Sequence, residues 1–152
     1  MQINKIVEFK LSKNLVEYDS AIEFMKTHIS KIKNNNAKEM LWFLEHNSIF
    51  TAGTSAKEMD QNIKNKELIR YVGRGGQWTW HGPGQRVVYI MLDLQQRQKD
   101  IKKYINNLEQ WIISTLKFFN IDAIVQKGNP GVWIKKNNAF FKIASIGVRI
   151  SH

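Results

Sequence analysis

The sequence has no cysteine among its 152 residues. A disulfide framework, a thiolate metal site and a cysteine nucleophile are therefore each excluded for the chain as it stands. No run approaches the ~18 consecutive apolar residues that a membrane span needs. The start, MQINKIVEFKLSK, has scattered charges and no apolar core followed by small residues, so it does not read as a secretory signal. The expected setting is the cytoplasm, with no membrane partner. Internal repeats, low-complexity segments and domain-dividing linkers are missing too. No HxH, HxxxH or His–carboxylate spacing marks a metal site, and neither GxxxxGK[ST] nor GxGxxG is there to cradle a nucleotide. Neither a metal nor a cofactor is expected.

What is present is an ordinary globular composition, 43% hydrophobic and 24% charged. The length fits one domain over residues 1–152. A net charge of +10 favours acidic partners. The lysines are spread along the chain rather than gathered in one arm, so a solvated lysine-rich surface explains them as well, and nucleic acid is not an expected partner.

Leu15, Tyr18, Ile22, Met25, Ile29 and Ile32 recur at steps of three and four, which predicts a helix over 14–33 stopped by the asparagines at 34–36. Residues 100–119 carry a second stripe behind a plausible N-cap, Asp100. Strands are predicted at 40–44, 69–72, 86–94, 121–126 and 132–135, with a turn at 127–131. Asn137 and Asn138 then turn the chain into a long last strand, 140–150. The pattern predicts an α/β (α+β) domain: a mixed sheet with helices on one side. A long apolar last strand with no returning element is an unprotected edge.

The densest chemistry lies at 74–85, RGGQWTWHGPGQ. One reading is a sharp reversal in which glycines supply unusual dihedrals and the tryptophans fill core. The other is a site wall, because polar tips and bare backbone converge where tryptophans line an apolar slot. Phosphate binding fits less well, since an aromatic run and another strand follow rather than a helix N-terminus. Lys142, inside the apolar last strand, faces solvent or points inward; an inward ammonium would lower a thiol pKa or stabilise an oxyanion. His46 and His81 stand apart in sequence, and core or capping roles are the commoner use of such histidines.

Three segments, GRGGQWTWHGPGQRVVYIMLDL, LEHNSIFTAGT and GVW…KIASIGVRIS, together resemble the lipoyl(octanoyl) transferase family, in the right order over nearly the whole chain. The resemblance implies the fold of the biotin/lipoate protein ligase catalytic domain. It also implies transfer of octanoyl from octanoyl-acyl carrier protein to a lysine of lipoyl domains of 2-oxoacid dehydrogenases and of the glycine-cleavage H protein. It places Arg74, Gly75, Gly76, Gln77, Trp78, Thr79, Trp80 and His81 on one wall of the acyl pocket, with Ser145, Ile146 and Gly147 opposite. Lys142 matches the family's lysine that lowers the pKa of the nucleophilic cysteine. Trp78 and Trp80 are bulkier than the small aliphatic and the tyrosine or phenylalanine usual there, which bears on acyl chain length.

The departure from the family is the sulfur. Family members continue past the equivalent of 147–151 to a cysteine in a Pro-Cys-Gly-like context, whereas this sequence stops at His152. The expectation is an incomplete domain with its C-terminal part missing, inactive alone. Ser145 is no substitute, because a hydroxyl needs a strong base. The alternatives are a non-catalytic remnant that binds acyl groups or acyl carrier protein, and an ATP-dependent lipoate-protein ligase relative.

Overall fold

A computed structural model describes residues 6–57, 63, 65–97 and 99–150. The chain gathers into two compact units, Met1–Arg97 and Gln98–His152.

In the first unit, strands β1 (Val7–Leu11), β2 (Glu39–Leu44), β3 (Ile49–Ala52), β4 (Ile69–Tyr71), β5 (Trp78–His81) and β6 (Val87–Met91) surround helix α1 (Tyr18–Lys33). They form two three-stranded mixed sheets. β2 lies between β1, parallel to it, and β6, antiparallel to it. β3 lies between β4, parallel, and β5, antiparallel. Alternation along β2 sends Met40, Trp42 and Leu44 to one face, where they meet Ala21 and Ile32 of α1 and Met91 of β6. Burial of that apolar face is what holds α1 against the sheet.

Helix α1 starts at Tyr18 rather than at residue 14. Val16 is drawn away from helical geometry by bridging His46, its N–H donating to Glu45 O at 2.9 Å. The helix ends as expected at the asparagines, where Asn35 takes a left-handed φ of 56°. Three strands were not foreseen: β1, β3 and β5. β1 lies at the edge of its sheet with Phe9 and Leu11 exposed, so its pattern lacks the alternation of a half-buried strand. β5 sits inside the Gly/Trp stretch, where flanking glycines suggest only a reversal. The predicted strand over 86–94 closes early, at Met91, because Asp93 caps a short 3-10 turn at Leu94–Gln96. Below it, buried Glu39 accepts from Asp93 N–H at 2.8 Å and pairs with the Arg97 guanidinium.

In the second unit, helix α2 (Ile101–Phe118) accompanies an antiparallel sheet of β7 (Ile124–Gln126), β8 (Asn129–Lys136) and β9 (Ala139–Ala144). Asp100 caps α2, its carboxylate accepting from Lys103 N–H at 3.0 Å. Asn137 and Asn138, at φ 49° and 60°, make the tight turn that joins β8 to β9. β8 begins at Asn129, inside the segment expected to be all turn. β9 stops at Ala144, so the predicted strand over 140–150 is too long: the ladder with β8 ends there, and 145–150 is irregular. Ser151 and His152 lie outside the described residues.

Candidate functional site

The glycine-rich approach to β5 is fastened to the segment after β3. Gly53 N–H donates to Gln77 O, Thr54 N–H to Arg74 O and Ser55 N–H to Gly76 O, at 3.1, 3.0 and 3.1 Å. This approach is so close that a Cβ on Gly53 would stand 2.2 Å from Gly76 O. Glycine at 53 is thus a requirement of packing, not of turn geometry. Arg74 completes the closure from within. Its guanidinium donates to Thr51 O at 2.9 Å, Thr51 Oγ1 at 2.6 Å, and the carbonyls of Gln77 and Gly75 at 3.1 Å each. Burial lowers its pKa from the ordinary arginine value, with the nearby phenols of Tyr18 and Tyr89 acting in the opposite direction.

Strand β5 divides its side chains by alternation. Thr79 and His81 share one face; Trp78 and Trp80 take the other. Trp78 Nε1–H donates to Lys57 O at 2.9 Å, and Trp80 Nε1–H to Ser48 Oγ at 2.9 Å. Both indoles are therefore pinned to backbone or loop on the side away from His81.

On the His81 face the structure assembles a cluster that sequence spacing did not reveal. His46 is fully buried, its Nδ1–H donating to Val16 O at 2.7 Å. Burial lowers its pKa below the ordinary histidine value, so the ring is neutral at pH 7 and Nε2 accepts from Tyr89 O–H at 2.8 Å. Tyr89 is correspondingly raised by burial. Tyr18 stacks on His81 with centroids 6.3 Å apart and meets His46 edge-on at 5.4 Å. The two imidazoles are 5.9 Å apart. His81 Nδ1–H donates to Gln85 Oε1 at 2.8 Å, while Gln85 Nε2–H holds Trp80 O at 2.9 Å. Burial lowers His81 as well, opposed by the Gln85 hydrogen bond. Its Nε2 has no hydrogen-bond partner among the described residues.

The arrangement sets a desolvated guanidinium, two phenols and two neutral imidazoles around one spot, with one acceptor nitrogen open. Such a set binds and orients a polar head group next to an apolar chain. Tyr18, Thr51 and Tyr89 are the members that sequence reasoning missed, whereas His46 has the core role expected of it. The available signal was the phenols: Tyr18 breaks an otherwise aliphatic helix stripe, and Tyr89 lies in register with Trp42 on the buried face.

The remaining predicted residues belong to the second unit. Lys142 lies in β9, its ammonium 4.8 Å from the centre of the Trp133 ring. Ser145, Ile146 and Gly147 follow in the irregular segment after β9. In the first unit, a separate open groove of about 520 Å³, lined by Leu11, Lys13, Leu15, Glu45 and Arg86, includes none of the cluster. Among the described residues no three His, Asp or Glu side chains group to hold a metal ion, and no helix is long and apolar enough to cross a membrane.

The chain as a whole is similar to known proteins. The family described as "Lipoyl protein ligase A/B catalytic domain" matches residues 17–152, and the chain belongs to it. Octanoyltransferase of Bartonella quintana (strain Toulouse) is 46% identical over 156 aligned positions, covering 97% of this chain and 64% of that protein. Octanoyltransferase of Wolbachia sp. subsp. Brugia malayi (strain TRS) is 44% identical over 147 positions, covering 95% of this chain and 71% of that protein. The chain thus spans about 64% of the length of the Bartonella relatives it matches. Among solved structures, a bi-partite lipoate protein ligase from Thermoplasma acidophilum superposes with a TM-score of 0.56 at 16% identity, over 85% of this chain and 52% of that one. At that identity the likeness speaks for the fold, which is the biotin/lipoate protein ligase type expected from sequence.

Proposed function

We propose that the chain carries the acyl-recognition part of an octanoyltransferase of protein lipoylation, with octanoyl-acyl carrier protein as donor and lipoyl domains as acceptors. The observation that carries this reading is the 46% identity to an octanoyltransferase across 97% of the chain. The single family match running through 17–152 supports treating both units as one catalytic domain. Arg74, Thr79 and His81 line the wall beside the acyl group, with Tyr18, His46 and Tyr89 fixing their orientation. Thr51 keeps Arg74 in place. By the family resemblance, Ser145, Ile146 and Gly147 also bind the substrate, and Lys142 serves the thiol. The +10 charge suits an acidic carrier protein in the cytoplasm.

The chemistry is thioester exchange followed by aminolysis. A thiolate adds to the octanoyl thioester carbonyl and expels the carrier thiolate, leaving an acyl-thioester enzyme. A lysine amine of the acceptor then adds to that carbonyl, loses its proton and expels the enzyme thiolate, leaving an amide. An ammonium near the sulfur favours the thiolate and later supplies a proton. The sequence has no cysteine, so the 152 residues supply the pocket wall and the ammonium but not the sulfur. That observation favours a second statement: the 152-residue chain binds the octanoyl carrier without forming a covalent adduct.

The test is calorimetric titration with carrier protein bearing octanoyl, acetyl or no acyl group, followed by mass spectrometry of the mixture. Octanoyl-selective binding with no mass increase is expected. Equal binding of all three carriers refutes the acyl pocket; an octanoyl adduct on the chain refutes the non-covalent reading.

A further inference from the structure

Lys142 is held by more than its own strand. In the β8–β9 ladder it is the direct partner of Trp133, and its ammonium lies over that ring. The indole is tied to its own strand, Trp133 Nε1–H donating to Asn129 O at 3.1 Å. Two residues earlier, the lysine stem passes beside Gly131 (φ +114°). A Cβ there would stand 3.4 Å from Lys142 Cδ, 3.5 Å from Cε and 2.5 Å from Ala144 O. Conformation and space both exclude a side chain at 131.

What fixes Gly131 comes from α2. Glu109, only 5% exposed, accepts from Gly131 N–H through Oε1 at 3.0 Å. A carboxylate buried in the middle of a helix is costly unless it is hydrogen-bonded. Here it is used where the sheet is weakest: the β8–β9 register slips between Val132 and Trp133. Regular pairing does not define the backbone at that irregularity, and an external acceptor does.

We propose that Glu109 is a positioning residue for Lys142, fixing through Gly131 the surface across which the lysine stem runs to Trp133. The importance of that placement rests on the reading above, in which Lys142 serves the acyl-transfer site. The placement itself is read independently of turnover.

The experiment is NMR of the isotopically labelled 152-residue chain, following the Lys142 ε-methylene resonances, which the Trp133 ring current displaces upfield. Three chains are compared: wild type, Glu109→Ala and Glu109→Gln. The expected result is an upfield position in wild type, kept in Glu109→Gln, whose amide oxygen still accepts from Gly131 N–H. Glu109→Ala should return the resonances to the ordinary lysine position while the Trp133 Nε1–H peak persists. An unshifted Lys142 in wild type overturns the proposal, as does a Glu109→Gln chain that is folded yet has lost the shift. A folded Glu109→Ala chain that keeps the upfield shift overturns it too; if Glu109→Ala does not fold, Glu109→Leu, which fills the buried site without an acceptor for Gly131 N–H, is read with the same two outcomes. Loss of octanoyl selectivity in the carrier titration would instead overturn the functional reading and leave these resonances in place.

Discussion

The cluster around His46 and the surroundings of Lys142 solve the problem of placing a polar group in different ways. His46 is fully buried, with both ring nitrogens committed, one to Val16 O and one to the Tyr89 hydroxyl. Lys142 lies on a strand whose neighbours Phe140, Phe141 and Ile143 are 46%, 53% and 40% exposed. One aromatic ring lies under its ammonium, and its stem runs beside Gly131. A closed hydrogen-bond set fixes both position and protonation state, whereas a lysine over an aromatic ring keeps some freedom. The first arrangement suits recognition of a substrate group; the second suits a charge that acts on a partner brought to it.

That contrast breaks most severely at the glycine beneath Arg74. Gly53→Ala sets a Cβ against the Gly76 carbonyl, which belongs to the backbone and has nowhere to turn. We expect a loss of about 3 kcal/mol in denaturant titration. An unchanged midpoint would mean that the loop joining β4 to β5 is not fastened to residues 53–55.

A smaller effect is expected at Tyr89→Phe. Removing the hydroxyl leaves His46 Nε2 buried without a donor, which costs about 1–2 kcal/mol. The measurement is the same titration, and a neutral result would mean that water reaches that nitrogen.

The histidines also give the cluster a pH dependence. Burial holds His46 and His81 below the ordinary histidine value, so in acid the unfolded chain binds more protons than the folded one. Stability contributed by the neutral rings is complete above the unfolded value, about pH 6.5, and declines as pH falls from there toward the folded values. Denaturation midpoints at about pH 7.5 and about pH 5.5 should show the decline. A flat profile would mean that the rings are not shut off from solvent.

The smallest effect belongs to the other region. Lys142→Ala should change stability by no more than about 0.5 kcal/mol, as expected of an exposed position. A loss as large as that of Tyr89→Phe would erase the difference between the two regions.

The helices were the most legible elements, because their apolar stripes are local. Their ends were legible only where the signal was local too. Asp100 and the asparagines at 34–36 mark real boundaries, but the start of α1 depends on Val16 pairing with His46, thirty residues away. β5 was hidden by the same residues that drew attention to the segment: glycines on either side of two tryptophans look like a reversal. The reach of β9 was overread because residues 145–150 keep a strand-like composition after the ladder stops. For the candidate site, one wall was readable as a motif. The partners that give His81 its surroundings, Tyr18, His46 and Tyr89, come from a helix, the link between β2 and β3, and a strand that only the fold brings together.

His81 offers an open acceptor beside a sealed His46, a difference that imidazole nitrogen NMR reads directly during titration with octanoyl-acyl carrier protein. Both rings should be neutral with the proton on Nδ1 at pH 7, and only the His81 Nε2 resonance should move as the octanoyl carrier binds. Movement of His46 to the same extent, or a still His81 under saturating octanoyl carrier, would show that the acyl group is recognised elsewhere.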